Sequence, residues 1–404
     1  MTADLHRMID RDRLIERTVE LIRLPSVNPF DGPGDRLTGE HRVAHWMAEH
    51  LDRLGYDPDL SEPAPGRPNV VGLGPGGDGP ILCLADHTDT VGVNGYGAEL
   101  AGIEGERPDR DSPAFRGEVR DGRIHGRGAC DMKGALAAFV EVAEALSCSD
   151  RRLAGRLKIA GLADEEHAMI GSQALGATGP VADQVIVGEP TGLRICTAHK
   201  GQYAFSIETY GVAVHSSIAG QGVNAIDHMT EIIVALGHYG RELTGRDSHA
   251  MCGTGSVNSG VIVGGEIASI VPDYCRLEVD RRLVPGESAD QVAAEIGRLI
   301  DRVAAGRDDF RWAMGPPSID AAPLDTAADQ PVVGAARRAM ANRSLPDQPV
   351  AFSGATDAPN LAAPAIIWGP GSLDQAHTTD EWLSIDELEA AAHLYLDAAV
   401  DLLA

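Results

Sequence analysis

The sharpest change from hydrophobic to polar positions along the chain falls in residues 81–91, ILCLADHTDTV. Ile81, Leu82, Cys83 and Leu84 form an apolar run, and Asp86, His87 and Asp89 follow at once. That is the pattern of a buried strand leaving its sheet. Side chains two apart on a strand share a side, so His87 and Asp89 project together. A metal-binding histidine usually has its second ring nitrogen held by a carboxylate, and Asp89 is placed to supply one. The ordinary alternative is a polar strand end with a simple His-Asp contact.

The same transition recurs. A strand at 157–162 runs into Asp164, Glu165 and Glu166, and one at 184–187 runs into Gly188 and Glu189. Leu136, Phe139, Val140, Ala143 and Leu146 share a helical face, which predicts Asp131 at a helix N-terminus. Upstream, Leu14, Ile15, Val19 and Ile22 predict an amphipathic helix ending near Pro25. A helix at 41–54 and a strand at 69–73 follow. Residues 94–122 are acidic and aperiodic, and read as a surface loop closing in a hairpin at 118–124. Strands alternating with helices predict an α/β fold with a mostly parallel sheet flanked by helices. Ligands collect at the carboxyl ends of such strands.

From residue 201 the texture changes. QYAFSIETYG alternates as a half-exposed strand, a helix at 224–236 follows, strands at 256–263 and 275–283 alternate again, and a helix at 289–303 closes the unit. The α/β pattern returns with a helix at 331–341, a strand at 365–368 and a helix at 385–403. This predicts an inserted α+β domain at 201–312 between the two parts of one domain, 1–200 and 313–404.

Composition narrows the function classes. The 404 residues carry a net charge of -26, with 23% charged and 43% hydrophobic residues. A globular protein follows, and nucleic acid or an anionic membrane is not the expected partner, since phosphate binding needs clustered Lys and Arg. The first residues, with scattered charges, do not read as a secretory signal, and no 18-residue apolar run predicts a membrane span. Six widely spaced cysteines form no C-x-x-C pair, and read as reduced thiols of a cytoplasmic protein.

The polar stations are His87, Asp131, Glu166, Glu189 and His377, the last in QAHTTDEWL before the final helix. Each alone has a plain reading: a helix cap, a turn carboxylate, a loop histidine. Together they recur at strand exits, where uncompensated carboxylates would repel one another. Zinc accepts imidazole and carboxylate together, and a carboxylate can bridge two ions. Glu165 beside Glu166 could take a proton while its neighbour ligates. No G-x-S-x-G elbow competes, and GPGGDG lacks the lysine of a phosphate loop.

ILCLADHTDTV, GRGACDMKGA, ADEEH, VGEPT, GVAVHSS with GVNAI, VDRRLVPGE, SGATDAPNL and AHTTDEWL resemble, in order, the motifs of the di-metal aminoacylase and carboxypeptidase family. That family includes acetylornithine deacetylase, succinyl-diaminopimelate desuccinylase and carboxypeptidase G. TAHKGQYAF leading into GVAVHSS looks most like the acetylornithine deacetylase branch. The resemblance implies a catalytic domain with an inserted dimerisation domain. It also implies two divalent metal ions per subunit, zinc first, with cobalt or manganese as alternatives. His87, bridging Asp131 and Glu189 would hold one, and Asp131, Glu166 and His377 the other. Asp89 would orient His87, and Glu165 would be the general base. His215 would reach the partner subunit's site in a homodimer to stabilise an oxyanion. Arg282 would clamp a substrate carboxylate, bidentate geometry favouring Arg over Lys, with Asn258 nearby.

Asp86, Ala135, His167 and Ser269 depart from the family pattern, in which Gly, Gly, another residue and Asn are common at these places. None removes a ligand. Asp86 and His167 could tune the metals indirectly, and residues 99–113 could line the substrate entrance. The expected function is removal of an acyl group, acetyl foremost, from the nitrogen of an amino acid or related metabolite. A dipeptidase or carboxypeptidase using the same centre, and a non-catalytic metal-binding dimer, are the rival readings.

Overall fold

Strand Ile81–His87 sits in the middle of the main sheet, and every residue in it from Leu82 onward is buried. It is parallel to Arg156–Leu162 on one side and to Gln184–Val187 on the other. Ala365–Ile367 continues the parallel set beyond Gln184–Val187. Arg67–Leu73 pairs antiparallel with Arg156–Leu162, and Asp57–Ala64 with Arg67–Leu73. Apolar side chains on both faces suit a strand covered on both sides.

In this computed structural model residues 3–30, 37–93, 112–149 and 151–404 are described. The chain divides into a first unit of Met1–Thr197, Thr326–Phe352 and Thr356–Ala404 and a second of Ala198–Asp325 with Ser353–Ala355. The expected loop at 94–122 and the entrance segment at 99–113 lie largely outside the described residues. Of them, the hairpin is described: Glu118–Arg120 pairs with Arg123–His125.

Helices of the first unit flank its sheet. Gly134–Ser147 packs against Arg11–Ile22 and Ile385–Leu403, which also takes Pro331–Asn342 on its side. Gly134–Ser147 is buried nearly all round. Its Glu141 is fully buried and accepts hydrogen bonds from Arg13 and Arg17 of Arg11–Ile22. A buried carboxylate is tolerated when paired in this way.

In the second unit four strands run antiparallel in the order Ser256–Gly264, Tyr274–Leu283, Gly201–Tyr210, Arg311–Ala321. Cys275, Leu277, Val279, Arg281 and Leu283 alternate into a core shared with helices Ala225–Leu243 and Ala289–Ala304. Tyr274, Arg276, Glu278, Asp280 and Arg282 take the other face.

Two expectations need correction. The chain leaves the second unit at 325 and not at 312, because Arg311–Ala321 pairs along the whole of Gly201–Tyr210. Its Gly315, Pro316 and Pro317, set beside two register shifts, hide the strand pattern in the sequence. Asp131, expected at a helix N-terminus, lies just ahead of its helix, whose N-cap is Lys133. Asp131 has φ -125° and ψ 88°, in an irregular turn before Gly134–Ser147.

Candidate metal centre

Parallel pairing makes three strand exits level. His87 lies opposite Leu162, and Ala85 opposite Val187, so Glu189 reaches the height of His87 while Glu165 and Glu166 follow just beyond Leu162. The pleat and this register together bring residues remote in sequence to one sheet edge.

Asp131 is the centre of the cluster. Its Oδ1 lies 3.0 Å from His87 Nε2, and its Oδ2 lies 3.3 Å from His377 Nε2. His87 Nε2 is 4.0 Å from Glu189 Oε1, and His377 Nε2 is 3.1 Å from Glu166 Oε2. One carboxylate thus faces the Nε2 atoms of two imidazoles, and each of those nitrogens has one further carboxylate beside it. His377 is held with φ +60°, a conformation unusual for a residue with a Cβ. The other Glu166 oxygen accepts the Val91 N–H at 3.1 Å.

Asp89 serves more than His87. The Nδ1 of His87 is 3.0 Å from the Asp89 carbonyl oxygen and 3.4 Å from its carboxylate. The shorter contact is the hydrogen bond, so the ring is oriented chiefly by the backbone. The Asp89 carboxylate accepts the N–H groups of Glu165 and Glu166, each at 3.2 Å, and the Asn28 amide at 2.7 Å. Asn28 also donates to Asp164 at 2.9 Å.

Two supporting residues escaped sequence reasoning. Asn28 carried no signal beyond a polar residue after a helix. Glu381 is fully buried and accepts from the N–H groups of Gly128, Cys130 and Asp131 at 3.0, 2.9 and 3.0 Å, and from Arg127 at 2.7 Å. It holds the turn that presents Asp131. Its place in AHTTDEWL, four residues after His377, was the available clue.

The electrostatics follow from crowding. Burial pushes the Glu165 carboxyl well above its usual range, and the Glu189 charge adds to this. Among the described residues no hydrogen bond reaches the Glu165 carboxylate. Burial would also raise Asp131, but hydrogen bonds from His377 and His87 outweigh it and hold Asp131 low. His377 is pushed up to about 10 by its hydrogen bonds to Asp131 and Glu166. The Oε1 of Glu189 is buried with no hydrogen-bond partner among the described residues. Ligand atoms of His87, Asp131 and Glu166 lie within 4.8 Å of one another, as do those of Asp86, His87 and Glu189. Imidazole nitrogens and clustered carboxylates, one oxygen of them orphaned, fit divalent cations.

The remaining candidates belong to the second unit. His215 is exposed, in a turn where its Nδ1 accepts the Ser217 N–H at 3.2 Å. Asn258 is exposed on Ser256–Gly264, directly across from Asp280. Arg282 bonds Asp280 through Nε at 3.0 Å and Nη2 at 3.2 Å, and Gln202 donates to the same carboxylate at 2.8 Å. Asn258, Asp280 and Arg282 therefore share one sheet face, with part of the guanidinium fork already used.

Residues 83–401 match Peptidase family M20/M25/M40. An acetylornithine deacetylase from Vibrio atlanticus is 31% identical over 395 residues, 95% of this chain and 94% of the relative. The acetylornithine deacetylase of Proteus mirabilis is 30% identical over 394 residues, 94% of each chain. Among solved structures, a tripeptidase from Staphylococcus aureus superposes with TM-score 0.77 at 22% identity, covering 98% of this chain and 99% of that one. An M20 family metallo-carboxypeptidase from Sulfolobus solfataricus gives TM-score 0.73 at 19% identity, covering 96% and 99%. The level strand exits, the shared Asp131 and these likenesses lead to one conclusion: the chain belongs to the M20/M25/M40 peptidase family, whose members are metal-dependent hydrolases.

Proposed function

We propose that this protein removes an N-acyl group, acetyl foremost, from an amino acid or related metabolite, in the manner of the acetylornithine deacetylases it resembles. The observation that carries the reading is Asp131 facing His87 and His377 with one oxygen each, beside a Glu165 carboxylate that burial keeps avid for a proton.

His87, Asp131 and Glu189 would hold one divalent cation, and Asp131, Glu166 and His377 a second, with zinc first and cobalt or manganese as alternatives. Such cations polarise an amide carbonyl and make water acidic. Glu165 takes a proton from the attacking water at its carboxylate and returns it to the departing amine nitrogen. Asp89 keeps Glu165 and Glu166 apart in role by holding both backbone N–H groups, so that one carboxylate ligates and the other stays free. Arg282, with Asn258 beside it, would receive the substrate carboxylate. His215 would stabilise the oxyanion in the partner subunit of a homodimer formed through the second unit. The exposed edge strand supports such a dimer, with Val261, Ile262 and Val263 between 50% and 63% exposed.

The test is hydrolysis of a panel of N-acyl amino acids and dipeptides by metal-loaded protein, Nα-acetylornithine included, with Glu165→Ala as control. Deacetylation lost in the control is expected. Cleavage of dipeptides without any deacylation would overturn the reading in favour of a peptidase.

A further inference from the structure

Asp86 stands one residue before His87, and it is buried. Its Oδ1 accepts the His87 N–H at 3.1 Å, and its Oδ2 accepts the Gly188 N–H at 2.6 Å. Gly188 immediately precedes Glu189. One carboxylate therefore ties together the two strand exits that carry His87 and Glu189.

The approach leaves no slack. A Cβ on Gly188 would lie 2.6 Å from Asp86 Oδ2, and 2.8 Å from both Ala135 Cβ and Phe139 Cζ. The carbonyl of Gly188 is closed in from the other side by Gly369, where an added Cβ would meet it at 1.7 Å. The Trp368 N–H also donates to the Val187 carbonyl at 2.7 Å. The Val187–Gly188 peptide thus has its carbonyl bonded by Trp368 and its N–H by Asp86, and the Gly188 carbonyl that follows is closed in by Gly369.

We propose that Asp86 is a positioning residue that presets His87 and Glu189 as a pair for one of the two cations, leaving the Glu166 and His377 side of the centre untouched. The inference rests on the ligand reading above. Residues that hold metal ligands from behind typically contribute 10- to 100-fold in affinity. Without Asp86 the Gly188 N–H would be buried without that acceptor, and Glu189 would be free to turn away from His87.

Calorimetric titration of metal-free protein with zinc, and the visible spectrum of the cobalt-loaded protein, would test this on Asp86→Gly and Asp86→Asn. We expect Asp86→Gly to weaken one of two cations by on the order of 10- to 100-fold and to leave the other unchanged. Asp86→Asn keeps an acceptor oxygen, and should show a smaller loss at the same cation. Unchanged affinities in both variants, or an equal loss at both cations, would overturn the inference. If Asp86→Gly does not fold, Asp86→Asn decides by the same criterion. Two cations in the wild type with no change in the variants defeats the role of Asp86 alone. Fewer than two in the wild type defeats the ligand reading, and the inference with it.

Discussion

The carboxylate of Asp89 accepts the backbone N–H of Glu165 at 3.2 Å, and by its other oxygen that of Glu166. A residue expected to serve a histidine therefore also sets the aim of the glutamate pair. In Asp89→Asn an amide N–H₂ would face one of these donors. Turnover should fall by on the order of 10- to 100-fold, with a parallel loss of metal affinity. Steady-state kinetics with metal counting checks this, and full activity in the variant would remove Asp89 from the machinery.

Glu165→Gln should leave both cations bound and lower kcat by roughly 10²- to 10⁴-fold, the range of a lost general base. The Gln side chain is nearly the same size, so KM should move little. Loss of metal instead of loss of turnover would mean that Glu165 is a ligand.

Glu381→Ala should destabilise the fold by about 3–5 kcal/mol, because it removes a buried carboxylate that Arg127 bonds and that the buried N–H groups of Gly128, Cys130 and Asp131 donate to. Chemical denaturation of the metal-free protein measures it. A change below about 1 kcal/mol would show that water replaces Glu381 freely.

His199 is fully buried, and burial lowers its pKa to about 4 while its Nδ1–H donates to the Lys200 carbonyl at 2.9 Å. The unfolded chain therefore binds a proton between pH 6.5 and 4 that the folded chain refuses. Its contribution is complete above pH 6.5 and is lost as pH falls toward 4, by up to about 3 kcal/mol. His199→Gln should flatten the fall of Tm with pH over this window. Parallel curves for variant and wild type would sink the assignment.

Val263→Asp places a charge on the exposed edge strand Ser256–Gly264. If the homodimer forms through this strand, sedimentation should report a dimer for the wild type and a monomer for the variant. A dimer that survives the charge uses another surface.

Much of the main sheet could be read directly from the chain, because strands such as Ile81–His87 are buried on both faces and end abruptly in acid and histidine. Periodicity likewise showed the helices at Gly134–Ser147 and Ile385–Leu403. Strand Arg311–Ala321 stayed hidden, since paired prolines and register shifts break the alternation that marks a strand. The edge strand Asp57–Ala64 was missed for a similar reason, being mostly exposed and carrying two prolines.

The sequence by itself determined the candidate residues for chemistry, because only a few types bind metal or move protons, and His87, Glu165, Glu166 and Glu189 follow the ends of apolar strands. Tertiary structure decided which oxygen meets which nitrogen. That Asp131 divides its two oxygens between His87 and His377, that Glu381 holds its turn, and that Asp86 joins the exits of His87 and Glu189 all depend on strand register and loop closure between segments far apart in the chain. Local pattern carries no record of such pairings, since hydrogen bonds across the fold are selected by packing of the whole core.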